Sequence, residues 1–213
     1  GKGMVAGAPR FSGQGHKFET QSGAAFVCHR TQGNGTVASD WSITNVLSGQ
    51  EFGSTTDKQN AAFGEDVAVF DKTIAVGAPS GTYNGNANAG AVFVFTGANG
   101  DEADDARGGH YGFNYVATLT PNDADANKRF GSSVSMPDSH TIVVGAEGGG
   151  GVYEGSVYIF TGYEGNWTQT QQIGFTGTSN SDRFGFPETS LATNKKEFFV
   201  GGHTSERVVR YRI

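Results

Sequence analysis

The chain has 213 residues, enough for one or two domains with a sizeable core. Its 16 Phe, 7 Tyr and 2 Trp exclude a disordered chain, and a net charge of −6, with Lys195-Lys196 the longest basic run, gives it no electrostatic reason to seek nucleic acid. No stretch approaches the roughly 18 apolar residues of a membrane-spanning helix, and 34 Gly against 5 Pro, with Gly, Asn, Ser and Thr clustered between apolar runs, predict many short strands joined by turns.

Taken in chain order, the apolar runs repeat. MVAGAP at 4–9 is followed by GAAFVCHR at 23–30 and WSITNVL at 41–47. A longer copy begins with FGEDVAVFDKTIAVGAP at 63–79 and continues with GAVFVFTG at 90–97 and YVATLTP at 115–121. A third reads FGSSVSMPDSHTIVVGAE at 130–147, GSVYIFTG at 155–162 and WTQTQQI at 167–173. The last reads FGFPETSLATNKKEFFVGGH at 184–203 and ends with a weaker RVVRYRI at 207–213. The repeats are therefore placed at about 1–62, 63–129, 130–183 and 184–213, within one region spanning 1–213.

Each run carries a strand signature. In GAVFVFTG, Val92 and Val94 fall on one face and Phe93 and Phe95 on the other, so both faces are apolar and both are expected to be buried. TIAVGAP and TIVVGAE are nearly continuous apolar runs, as expected of an inner strand, whereas WTQTQQI alternates with polar residues, as expected of an outer one. No window holds a 3.6-residue apolar period, so little helix is expected. Four strands per repeat, at a spacing longer than helical solenoids use, fit the blade of a β-propeller with loop insertions. The count is three, four, four and three strands, an all-β chain of about three and a half blades of antiparallel strands.

The aromatic-glycine pairs Phe63-Gly64, Phe130-Gly131 and Phe184-Gly185 open strands, setting a large ring between blades beside a residue that allows close backbone approach or a positive φ. Gly77-Ala78-Pro79, Gly145-Ala146 and Gly201 end the following strand, where glycine lets strands crowd and proline stops them.

These residues resemble the FG-GAP repeat, in the pattern of its bacterial and algal branch, over nearly the whole chain. The resemblance implies a propeller like the integrin α-subunit head, with seven blades. It implies an extracellular or cell-surface place and a role in adhesion, ligand binding or assembly. On that reading the remaining blades come from a longer polypeptide or from another copy: the chain is a fragment, half of a ring in which each copy lends a strand to the other, or a subunit of a head-to-tail fibre. The opening Gly-Lys-Gly fits a mature form or a fragment.

Site chemistry is sparse. Integrin-type repeats often carry a calcium loop, but the short connections around Asp71 and Asp138 offer too few oxygen ligands, so the calcium sites are not carried over. The acidic run containing Asp101, Asp104 and Asp105 is the remaining Ca²⁺ candidate, read first as a solvated loop. Asp123, Asp125 and Asp182 read as blade-to-blade turn residues. None of His16, His29, His110, His140 and His203 pairs at a zinc-ligand spacing, Cys28 reads as a buried hydrophobe, and no nucleophile elbow or phosphate loop occurs. No catalytic residue and no cofactor are assigned. Asn34 and Asn166 head N-glycosylation sequons, marking a glycoprotein. The function expected is a non-catalytic surface module that binds a protein or glycan through loops shaped by the insertions at 80–89 and 98–114. A fibre subunit and a carbohydrate-binding or carbohydrate-degrading propeller are the alternatives.

Overall fold

The computed structural model describes residues 3–12, 22–30, 40–49, 61–97, 112–148, 155–174, 192–194, 197–201 and 208–212. They form fourteen strands in four antiparallel meanders, with no α-helix among the described residues. The first sheet holds β1 (Gly3–Ala8), β2 (Ala24–Arg30) and β3 (Trp41–Leu47). The second holds β4 (Val67–Phe70), β5 (Thr73–Ala78), β6 (Ala91–Gly97) and β7 (Phe113–Leu119). The third holds β8 (Phe130–Asp138), β9 (Thr141–Ala146), β10 (Ser156–Tyr163) and β11 (Asn166–Gly174), and the fourth β12 (Ala192–Asn194), β13 (Glu197–Gly201) and β14 (Val208–Arg212). This is the all-β, four-stranded blade architecture expected from the repeats.

Burial follows the strand patterns. β5 and β9 are buried at every residue, β6 at all but one, and β11 is largely exposed. The two faces of β6 serve two different cores. Phe93 and Phe95 join Ala25, Val27 and Leu47 of the first sheet around Phe63, while Val92 and Val94 join Ile142, Val144, Tyr158 and Phe160 of the third around Phe130. The second sheet thus has one face that presses on the sheet before it and one that receives the sheet after it.

The motif glycines explain how closely the sheets approach. A Cβ on Gly77 would land on the carbonyl oxygen of Gly131, and one on Gly7 would land on that of Gly64. Gly64 and Gly131 have φ of 88° and 90°, a region that favours glycine. The glycine that ends the second strand of one sheet is therefore in backbone contact with the Phe-Gly glycine opening the next. Alongside, Gly23 and Gly90 form parallel bridges to Phe63 and Phe130. The two phenylalanine rings are fixed at the seam by these backbone contacts, and each is about 0–1% exposed.

One recurrent feature has no mark in the motifs. β2, β6 and β10 each meet their outer neighbour with a register shift, at Val27/Cys28, Val94/Phe95 and Ile159/Phe160. Each bulge leaves one extra residue on the outer strand: Thr44, Val116 or Thr170. Thr44 and Thr170 donate their hydroxyls to the carbonyls of Val27 and Ile159, both at 3.2 Å.

The β5–β6 loop and the β6–β7 connection leave the second sheet at opposite ends, because the sheet is a meander; residues 98–111 of the insertion expected at 98–114 lie outside the described residues. The three-stranded sheets also lack different members of the set among the described residues. β13 carries Gly201 as β5 carries Gly77, so β12–β14 match the first three strands of a blade and β1–β3 the last three.

Candidate interaction surface

Among the described residues, a cluster of polar side chains gathers where the second and third sheets meet. The β5–β6 loop turns through Tyr83-Asn84-Gly85-Asn86, with φ of 51° and 80° at the central pair, as a two-residue hairpin turn requires. Beside it runs the connection from β7 to β8. Asn127, Arg129 and Phe130 donate backbone N–H groups to the carbonyls of Ala87, Asn88 and Ala89 at 2.8–2.9 Å. Asp125 accepts from the N–H of Ala126, a turn role. Asp123 accepts from Lys128 Nζ at 2.7 Å, from Gln172 at 2.8 Å and from the Tyr158 hydroxyl at 3.0 Å.

Lys128 is buried. Its burial disfavours the charge, but Asp123 and Tyr158 outweigh that cost and hold its pKa above the ordinary lysine value. Burial also opposes the Asp123 charge, and Lys128 with Gln172 and Tyr158 brings its pKa below the ordinary carboxylate value. Arg129 joins Ser80, at the end of the second sheet's Gly-Ala-Pro segment, to the buried Glu147 of the third. Below the surface Asp66 accepts from Val67 and from Val134 of the next sheet at 2.9 and 2.8 Å; burial raises its pKa, and those two N–H groups offset part of the rise. In this cluster a single carboxylate, Asp123, is shared by three donors. The arrangement is a latch between sheets, with no nucleophile and base set against each other.

The first sheet presents a different kind of surface. One of its faces, through Ala25, Val27 and Leu47, receives the second sheet. The other carries two cross-strand rows, Met4–Cys28–Ile43 and Ala6–Phe26–Val46. In β5 and β6 the equivalent positions are Ile74, Val76, Phe93 and Phe95, all buried against the preceding sheet. Here Met4 and Val46 are 45% exposed and Ile43 is 60% exposed. The loop residue Phe11 stacks edge-on against Phe26 at 5.3 Å, yet β1 as a whole stays open where β5 and β9 are closed. Burial pushes the Cys28 thiol pKa up, so Cys28 acts here as apolar surface rather than as a nucleophile.

The same reading fails at the other end of the stack. On the receiving face, the position held by Val94 in β6 is held by Arg210 in β14, whose side chain is 60% exposed and faces Glu197 at 3.8 Å.

Residues 57–95 and 113–160 match the family model of the FG-GAP repeat. Those two segments are FG-GAP repeats. No curated protein matches it. The matched segments contain the Phe63-Gly64, Gly77-Ala78-Pro79, Phe130-Gly131 and Gly145-Ala146 motifs. In the FG-GAP repeats of this chain the motif names are thus the two halves of one contact: the ring and the glycine on one blade, the glycine that meets them on its neighbour.

The remaining sequence candidates are scattered. Asn166 is exposed at the β10–β11 turn. Asn34, Asp101, Asp104, Asp105, Asp182, Phe184, Gly185, His16, His110 and His203 lie outside the described residues. The FG-GAP turns at Asp71 and Asp138 bring no cluster of carboxylates together: Asp138 accepts from the N–H of His140, two residues on. Among the described residues no three His, Cys, Asp or Glu side chains converge, and no helix is long and apolar enough to cross a membrane. A shallow polar groove of about 190 Å³ runs between β3 and the β6–β7 pair, lined by Asn45, Ser48, Asn114 and Tyr115 among others. It is smaller than the roughly 300 Å³ at which small-molecule pockets begin.

Proposed function

We propose that this chain is a non-catalytic, extracellular or cell-surface propeller module that works in assembly, docking sheets onto partners through the open face of its first sheet. The observation that carries the reading is the pair of apolar rows on β1–β3, whose β1 and β2 members stand at positions that the second blade buries in sheet-to-sheet contact. An apolar patch of this kind on a water-facing sheet is costly to leave bare and marks a site of association. The FG-GAP repeats support the surface location. The latch residues support the non-catalytic reading, since their polar groups are spent on one another.

The test is site-specific photo-crosslinking in intact cells. A benzophenone side chain at position 43 is expected to crosslink to a protein that a membrane-impermeant reagent also labels, whereas the same group at position 69, an exposed apolar site on the second sheet, is not. No crosslink at position 43, or one only to material inside the cell, contradicts the proposal.

A further inference from the structure

We infer that Asn166 is an N-glycosylation site and that the ring of Tyr163 is the platform on which its linking sugar rests. The inference rests on the surface placement proposed above, since the modification belongs to exported chains. Three observations carry it.

The sequon Asn166-Trp167-Thr168 opens β11, directly after the two-residue turn Glu164-Gly165. Strand alternation puts Asn166 and Thr168 on one face and Trp167 on the other. Asn166 and Thr168 are both exposed, and among the described residues neither side chain is spent on a hydrogen bond. Trp167, the bulky middle residue, is held on the opposite face. Its indole packs against the core between the second and third sheets and donates Nε1–H to the Glu164 carbonyl at 2.6 Å. Its bulk is thereby kept off the acceptor amide.

Tyr163 is the cross-strand partner of Asn166, so the two side chains stand side by side on that same face. Tyr163 is 53% exposed, and its ring stacks on His140 with centroids 5.3 Å apart and planes 23° from parallel. His140 comes from the β8–β9 turn, on the side of β10 away from β11. One face of the ring is therefore filled from the β9 side, and the other is turned toward Asn166. His140 is itself fixed, with Ser139 Oγ 2.9 Å from its Nδ1 and its N–H donated to Asp138 at 2.8 Å. A ring held in this way loses little freedom when the C–H face of a sugar covers it.

The openness of this turn belongs to the blade. In the second sheet Phe113 pairs with Gly97 as Trp167 pairs with Gly162, so Gly112 and Asn114 stand where the third sheet has Asn166 and Thr168. The second sheet is covered by the third across its Val92–Val94 face, yet Asn114 is exposed and a Cβ on Gly112 would meet no atom within 4 Å. A neighbouring sheet leaves this end of the outer strand open, with room for a glycan outside the seam.

The donor is, by class, an oligosaccharide joined through a pyrophosphate to a polyprenyl lipid and delivered by a membrane oligosaccharyltransferase. Asn166 Nδ2 attacks the anomeric carbon, the bond from that carbon to the pyrophosphate oxygen breaks, and the lipid pyrophosphate leaves with the electron pair. Nδ2 gives up one proton to a base of the transferase, and an N–C glycosidic bond remains with no change of oxidation state.

Mass-spectrometric peptide mapping of the protein purified from its source, before and after treatment with peptide-N-glycosidase, tests the site. The peptide holding Asn166 is expected to carry a glycan, and release is expected to convert Asn166 to aspartate. An unmodified Asn166 overturns the inference: with the protein at the cell surface the surface reading stands, and with the protein found only inside the cell both fall. Full-length variants secreted from a cell that N-glycosylates its exports test the parts. Thr168→Ala is expected to abolish occupancy at Asn166, and occupancy that survives it overturns the assignment. Enzymatic release of the glycan is expected to lower the melting temperature of the parent by about 2–4 °C, the shift that one modest contact makes in a chain of this size, and that of Tyr163→Ala by less than half as much. Each variant is compared with its own released form, so the lost stacking on His140 cancels. Tyr163→Phe keeps the ring and is expected to behave as the parent. An equal drop in the parent and Tyr163→Ala overturns the platform role.

Discussion

Gly77→Ala is expected to destabilise the chain by about 2–4 kcal/mol, seen as a lower midpoint in urea and a melting temperature reduced by roughly 10 °C. The added methyl has nowhere to go. It would fall on the Gly131 carbonyl oxygen with the Val134 side chain at 3.4 Å behind it, and both belong to the next sheet, so relief requires the sheets to part. Gly77 has no positive φ, so the loss measures steric crowding alone. Gly131→Ala adds a second cost. Its φ of 90° is strained for alanine, and its Cβ would lie 2.6 Å from the Ala91 carbonyl oxygen. Two controls separate the terms. Gly85 has φ of 80° but open space around it, so Gly85→Ala is expected to cost only about 1 kcal/mol of backbone strain. Gly112 has neither feature, and Gly112→Ala is expected to fall within about 0.5 kcal/mol of the parent. A Gly77→Ala variant as stable as Gly112→Ala would mean that the sheets do not meet at this glycine.

Phe130→Ala is expected to cost about 3–5 kcal/mol, the range for emptying a fully buried aromatic site. Phe130 is fully buried, sits edge-on to Tyr158 at 5.3 Å and Phe160 at 5.8 Å, and packs with Val92, Val94 and Leu119 of the second sheet. Its backbone is held by the bridge to Gly90 and by the Ala89 carbonyl, so the site has little freedom to collapse around the cavity. Phe130→Leu keeps most of the volume and is expected to lose less than half as much. Because Phe130 and Val94 belong to different sheets but one core, Phe130→Ala and Val94→Ala are expected to be non-additive by about 0.5–3 kcal/mol in a double-mutant cycle. Strict additivity would place the two residues in separate cores. Denaturant unfolding monitored by tyrosine and tryptophan fluorescence reads both outcomes.

Much of this architecture was legible in the residues. The alternation in GAVFVFTG already requires burial on both faces, and the structure supplies a separate core for each. The glycines of the two motifs announced close approach, but which glycine meets which was not legible, because the contact joins positions more than fifty residues apart, Gly77 with Gly131 and Gly7 with Gly64. The bulges were invisible for a different reason. One additional residue in an outer strand, such as Thr44 or Thr170, hardly disturbs a polar alternation, and only the pairing register exposes it. The latch was read only as far as turn roles for Asp123 and Asp125, since Lys128, Tyr158 and Gln172 reach Asp123 from three separate segments. The open face was hidden by its own composition. AAFVCHR reads as a core strand, and hydrophobicity does not say whether the neighbour that would cover Phe26 and Cys28 is there.

Native-state hydrogen exchange of the dilute chain tests most directly that the Phe-Gly and Gly-Ala segments lock sheet against sheet and leave the first sheet bare on one side. Amides of Thr73–Ala78 and Thr141–Ala146 are expected to exchange together and slowest, through global unfolding, with Gly3–Ala8 faster by orders of magnitude. Equal protection of Gly3–Ala8, or widely different rates for the two inner strands, would contradict that arrangement.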